Sequence, residues 1–235
     1  MRKVIWMLFP VFLFPACTEN ICDSPKAICQ KVSLRGGQIG SEMNSECTIP
    51  LLSVDGPALN CKKIAGESGG VIYGSFSGKL SYNKNTIHQS LPDELCFFAG
   101  CLKAEEELSW IKIIKTGVSR YSASDLGYVA SVAEDGQVLT AFTTAGTCQL
   151  IDGISGAATS LCATGIFALS FNQSGKLLWS CDFGSGGAVP FNILKTDNSV
   201  TISLFNNGDF YCGCEGEELK DYSFADIQYV LPHFT

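Results

Sequence analysis

The chain has little histidine, little charge and no sustained helical period, and each shortage closes off a class of function. Two histidines in 235 residues leave little room for imidazole catalysis or a histidine-rich metal site. Charged side chains make up 17% of the sequence, and acidic residues outnumber basic ones 23 to 16, for a formal charge of −7. With a pI near 4.8, the chain lacks the clustered Lys and Arg that a phosphate backbone requires, so no nucleic-acid partner is expected. No window of about eleven residues or more carries apolar residues at helical spacing. The best helical candidate, residues 93–114, is broken by Cys96-Phe97-Phe98 and by Ile111-Lys112-Ile113-Ile114. What remains is 46% hydrophobic residues and 24 glycines, the composition of a folded, turn-rich chain. The expected fold class is all-β, with length enough for one full core or two small ones.

The first residues read as an address. Arg2 and Lys3 precede thirteen apolar residues, 4–16, and no charge follows until Glu19. A bilayer core of ~30 Å needs ~20 residues to span it, so this run is too short. A basic start, a short apolar stretch and a small residue before a break describe a signal peptide covering residues 1–16. The break itself, Phe14-Pro15-Ala16-Cys17, resembles the lipobox of bacterial lipoproteins, in which a small residue precedes a cysteine that is diacylated and becomes the mature N-terminus. That resemblance implies lipidation of Cys17 and anchoring in the bacterial cell envelope, at the outer membrane or cell surface. Cleavage near Ala16 with release as a secreted or periplasmic protein, and an uncleaved anchor, are the other readings. Loss of residues 1–16 leaves 14 basic against 23 acidic residues, net −9, so any membrane attachment must come from the lipid rather than from charge.

Twelve cysteines in an exported chain point to a disulfide-stapled fold in an oxidising compartment. Sequence proximity suggests the pairs Cys22 with Cys29, Cys47 with Cys61, Cys96 with Cys101, and Cys148 with Cys162. Cys181, Cys212 and Cys214 are left to sort among themselves. With lipid on Cys17, eleven thiols remain and one must be free or paired between chains. A structural zinc site at Cys212-Gly213-Cys214 or at Cys96 and Cys101 would need four reduced ligands, which export disfavours.

The chain is also self-similar. Segments 64–76, 131–142 and 193–205 each read as an apolar strand, a small polar turn, and a strand opened by Val71, Val138 or Val200, at steps of 67 and 62 residues. Asp135-Gly136 and Asp197-Asn198 suit tight hairpins. A second pair, 97–110 and 166–179, ends in Trp110 and Trp179, 69 residues apart. One unit is therefore strand, turn, strand, long loop, strand, turn, strand, and four antiparallel strands are what a propeller blade contains.

Segment 165–179, Gly-Ile-Phe-Ala-Leu-Ser-Phe-Asn-Gln-Ser-Gly-Lys-Leu-Leu-Trp, resembles the β-propeller repeat of bacterial envelope and secreted proteins, whose unit ends roughly in Asp-Ile-Phe-Val-Ala-Lys-Tyr-Asp-x-x-Gly-x-x-Leu-Trp. Gly165 and Ser170 stand where that repeat has Asp and Lys, and Ala225-Asp226-Ile227 resembles the start of a third copy. The resemblance covers 62–235 and implies propeller-like units at about 62–126, 127–189 and 190–235. It follows a cysteine-containing segment, 17–61, whose Lys31-Val32-Ser33-Leu34 is expected to supply the strand that the third unit lacks and so to close the ring. A β-sandwich of the same hairpins, or a partial propeller completed by oligomerising, is the alternative architecture.

Sites of chemistry are sparse. Gly66-Glu67-Ser68-Gly69-Gly70 resembles the serine-hydrolase nucleophile pattern, but an elbow needs a helix after the Ser and a strand follows. His88 reads as an exposed loop residue and His233 has no neighbour to work with. Glu215, Glu217, Glu218 and Asp221 form an acidic loop without a calcium-ligand ladder, and Glu105, Glu106 and Glu107 a charged turn tip. Trp110 and Trp179 are expected to pack between units rather than stack on a ligand. No catalytic residue, cofactor or metal is expected. The expected function is a non-enzymatic envelope lipoprotein that binds a protein or glycan through loops 79–96 and 147–164. A structural envelope component without a soluble ligand, or a secreted hydrolase, are the other readings.

Overall fold

Apolar runs of two kinds, alternating and continuous, punctuated by short turns, carry this chain, and the computed structural model is all β. It describes residues 20–21, 28–35, 51–66, 69–91, 93–103, 107–119, 127–144, 147–162, 165–196, 199–211 and 223–230. The strands are β1 (Asn20–Ile21), β2 (Ile28–Arg35), β3 (Leu52–Gly66), β4 (Gly69–Tyr82), β5 (Asn85–Gln89), β6 (Glu94–Leu102) and β7 (Leu108–Ser119). They continue with β8 (Tyr128–Val132), β9 (Val138–Thr144), β10 (Thr147–Asp152), β11 (Ala158–Cys162), β12 (Gly165–Phe171), β13 (Leu177–Thr196), β14 (Ser199–Tyr211) and β15 (Ser223–Val230). No helix occurs among the described residues. One sheet runs β1-β11-β10-β7-β6-β4-β3 with β5 also on β4, and the other runs β2-β15-β14-β13-β12-β9-β8.

β9 and β12 are buried at every position, and that pattern places them in a middle layer with core on both faces. Val138 and Phe142 of β9, with Phe167, Leu169 and Phe171 of β12, join Val71, Tyr73, Phe97, Trp110 and Ile114 of the first sheet in one core. The alternate residues, Leu139, Ala141, Ile166 and Ala168, turn the other way into a second core with Ile193, Val200, Ile202, Leu204 and Ile227. This second core forms because β13 is 20 residues long and serves two layers. Leu177 to Gly184 pairs with β12, whereas Ser185 to Thr196 pairs with β14, and the change of partner falls at Gly184-Ser185-Gly186-Gly187, where glycines permit a sharp bend. Three antiparallel layers therefore stack: β3-β4-β6-β7, then β8-β9-β12 with the start of β13, then the end of β13 with β14, β15 and β2. A further apolar cluster, including Ile72, Phe76, Phe98 and Ile113, occupies the far face of the first layer.

Polar side chains lace the layers at their margins. Tyr128 donates its hydroxyl to the Phe98 carbonyl at 2.7 Å, Ser131 to Ile193 at 2.6 Å, Thr143 to Ala188 at 2.8 Å and Tyr229 to Phe183 at 2.6 Å. Each satisfies a buried or half-buried hydroxyl that would otherwise cost ~1–3 kcal/mol. Phe97 stacks on Tyr128 with ring centroids 4.6 Å apart.

The repeat positions coincide in register. Ile64 pairs with Val71, Val132 with Val138, and Lys195 with Val200. Cys101 opposite Trp110 corresponds to Ser170 opposite Trp179. Trp110 lies in the core between the first and second layers and Trp179 in the core between the second and third, so both tryptophans pack between units. The N-terminal segment reaches the third unit: Lys31, Val32, Ser33 and Leu34 of β2 pair antiparallel with Gln228, Ile227, Asp226 and Ala225 of β15.

Three expectations need correction. No ring closure is present among the described residues; the layers form an open stack. The long loop 147–164 is largely the β10–β11 hairpin, which leaves the second layer and extends the first sheet through β7, pairing Leu150 with Ile114. Loop 79–96 likewise contains β5, which folds back on β4. Among the described residues, two of the predicted disulfides fail on strand geometry. Cys96 and Cys101 are free thiols on one strand, ~16 Å apart at ~3.3 Å per residue, beyond the reach of a bridge. Cys148 is free as well, and Cys162 pairs with Thr147 instead of Cys148, a one-residue offset that places the two on opposite faces. Cys17, Cys22, Cys47, Cys212 and Cys214 lie outside the described residues, which removes the Cys22–Cys29 and Cys47–Cys61 pairs from view. Cys29 lies on β2, and Cys61 and Cys181 are buried in cores of different layers.

Candidate functional site

The two segments singled out by the repeat meet each other. At the tip of the β10–β11 hairpin, a Cβ on Gly153 would fall 2.6 Å from the Ile111 side chain and 2.7 Å from that of Ile87 on β5. This close approach lets the Gly153 amide reach the Ile111 carbonyl at 2.9 Å.

Asp152 organises the tip. Its Oδ1 accepts the amides of Ile154 at 3.0 Å and Ser155 at 2.7 Å, and its Oδ2 meets the Lys112 ammonium at 2.5 Å. The Gly156 amide closes the turn on the Asp152 carbonyl at 2.8 Å, with Gly156 at φ +74°, a region that favours glycine. Burial works to raise the Asp152 carboxyl, yet the Lys112 ammonium and the Ser155 amide and hydroxyl outweigh it and hold the group down at about 2. The result is a charged anchor beneath an exposed apolar tip: Ile154 is 67% exposed. Leu91, 70% exposed, follows β5 on a second pinned turn. There Ser90 Oγ accepts the Gly78 amide at 2.7 Å, and Glu94 Oε2 accepts the Leu91 amide at 3.3 Å.

A concavity of about 400 Å³ opens between the first and second layers. Ile64, Val71, Cys101 and Leu102 wall it on one side and Val132 and Val138 on the other, with Lys103, Ser109 and Gln173 also in its lining. The Gln173 carbonyl accepts the Trp110 indole N–H at 3.0 Å, which ties the layers together beside the opening. Burial raises the Cys101 thiol above its usual range.

The remaining residues flagged in the sequence are dispersed. His88 lies half-buried on β5 with its ring edge toward Phe76, 6.1 Å between centroids, and not in an exposed loop. Burial, and next the charge of Lys115, lower its basicity, and its Nε2 is buried without a hydrogen-bond partner. Cys96 and Cys148 are both pushed up to about 12, in each case chiefly by burial, which leaves them poor nucleophiles. β3 ends at Gly66 and β4 begins at its antiparallel partner Gly69, so the Gly-x-Ser-x-Gly segment links strand to strand. Ser68 itself, Glu105, Glu106, Glu215, Glu217, Glu218, Asp221 and His233 lie outside the described residues. Glu107 is exposed, 3.8 Å from Lys103. The sequence does not mark Asp152, Lys112 and Ile154 as a group. Asp152-Gly153 is a turn dipeptide, but nothing local shows that its carboxylate meets a lysine 40 residues away. Comparison with protein-family models, with curated proteins and with solved structures gives no match for this chain.

Proposed function

We propose that this protein is a non-enzymatic lipoprotein of the bacterial cell envelope, anchored through Cys17, whose propeller-like stack of sheets presents fixed turns to a protein ligand. The observation that carries the binding role is Ile154, 67% exposed on a turn held by Asp152 and Lys112. An apolar side chain that is already ordered loses little freedom when a partner covers it, and such anchors contribute disproportionately to interface affinity. Leu91, on its own pinned turn, is a second exposed apolar side chain. The lipobox-like Phe14-Pro15-Ala16-Cys17 supports the anchor, and the repeat with its interlayer tryptophans supports the propeller-like frame.

The test is site-specific photocrosslinking in intact cells with the photoreactive residue at position 154. A discrete adduct that disappears on Leu91→Asp, while a probe at exposed Thr196 gives none, is the expected result. The absence of any adduct at 154, or equal adducts at both positions, would contradict the reading.

A further inference from the structure

We propose that the cleft between the first and second layers binds a small, uncharged, mainly apolar molecule seated against Cys101. This site is separate from the Ile154 turn and does not depend on it. Its volume of about 400 Å³ falls within the ~300–1,000 Å³ of ordinary ligand pockets. The floor is continuous with the core, since Val71 and Val138 are 5% and 2% exposed. Higher up, Val132 keeps 44% of its surface exposed and Ile64 is only partly buried. Folding thus leaves apolar surface wet inside a concavity, where a ligand covering it gains ~25 cal/mol per Å² removed from water.

Charge selects the ligand class. Among the described residues, Lys103 is the one charged side chain in the lining, and Glu107 already faces it at 3.8 Å. Cys101 is half-buried with its thiol 3.7 Å from the Leu102 carbonyl, and burial favours its neutral form. A charged ligand would meet no uncompensated opposite charge among the described lining residues and would lose hydration on entry. Ser109 and Gln173 leave room for one or two polar atoms on an otherwise apolar molecule. Ile64, Val71, Cys101, Val132 and Val138 stand on strands of packed layers, which fixes the apolar part of the site in advance.

The probe is N-phenylnaphthylamine, a neutral apolar fluorophore, titrated into the full chain, with anilinonaphthalene sulfonate as its anionic counterpart. The expected result is saturable one-to-one binding of the neutral dye, with the anionic dye weaker by about tenfold or more. Ala65→Phe, on the exposed part of the wall, should weaken the neutral dye by a similar factor, and Ala157→Phe at a remote turn should not. In the unaltered protein, saturating neutral dye should slow alkylation of Cys101 by N-ethylmaleimide, a readout that stands even where Ala65→Phe fails to fold. No saturable binding, equal affinity for the anionic dye, or unchanged alkylation of Cys101 with dye bound would each overturn the proposal.

Discussion

At the scale of single residues, the Asp152 carboxylate has the most measurable consequence. Its side chain and that of Lys112 are 28% and 14% exposed, so the pair is neither fully solvated nor fully dry. Asp152→Asn leaves Lys112 without its counter-charge and should cost about 1–2 kcal/mol at pH 7. The sign of the pH dependence follows from the direction of the shift. A carboxyl held at about 2, against an ordinary value of ~3.9, contributes stability that is full above that ordinary value. The contribution is lost as pH falls toward 2. Urea unfolding of the two proteins should therefore differ at pH 7 and converge near pH 2; a pH-independent difference would remove the ion pair from the explanation. The thiols offer a second test. Cys101, half-buried, should react with a maleimide in the folded protein, whereas Cys96 and Cys148, 0% and 1% exposed, should react only after denaturation. Mass mapping of the alkylated sites distinguishes these outcomes.

At the scale of elements, two glycines separate backbone strain from interlayer contact. Gly156 and Gly175 have nearly the same left-handed φ, +74° and +78°. A Cβ on Gly156 meets nothing, whereas one on Gly175 falls 2.6 Å from the Trp110 ring. Gly156→Ala should cost about 1 kcal/mol from conformation alone, and Gly175→Ala clearly more, about 2–4 kcal/mol, because the β12–β13 turn must lift off the first layer. Equal losses in denaturant midpoints would mean that this turn does not hold the layers together. The middle strands give the complementary contrast. Phe167→Ala, in the core between the first two layers, should cost about 3–5 kcal/mol. Leu178→Ala, 40% exposed on β13, should change stability by less than about 0.5 kcal/mol. Element type was legible in the sequence, because β9 and β12 are short β-rich segments of apolar residues with Thr or Ser, and the Val71, Val138 and Val200 hairpins carry their turn residues locally. Partner choice was not. That β10 and β11 cross to β7, and that β13 divides between two layers, depends on which edge lies nearest after collapse, and no local pattern encodes it. Cysteine spacing misled for the same reason: neighbours in sequence become distant or opposed once they lie on extended strands.

For the whole molecule, three antiparallel layers share two apolar cores, and an N-terminal strand completes the third layer. That last feature was readable from the alternation in Lys31-Val32-Ser33-Leu34 together with the missing fourth strand of the third unit. The candidate sites were less readable. The turn at Ile154 was located as a segment but not as chemistry, because its anchor is a long-range pair. The cleft beside Cys101 arises only where two layers meet. A stack that presents turns outward suits a protein held at a membrane surface by lipid, and that placement is the central proposal for the molecule in the cell. Intact mass of the membrane-extracted protein, with thiols alkylated before and after denaturation and reduction, tests it most directly. The expected result is a chain that begins at Cys17 and carries added acyl mass, with Cys101 alkylated in the native state. A chain of unmodified full-length mass with all twelve cysteines present as reactive thiols would contradict both lipidation and export.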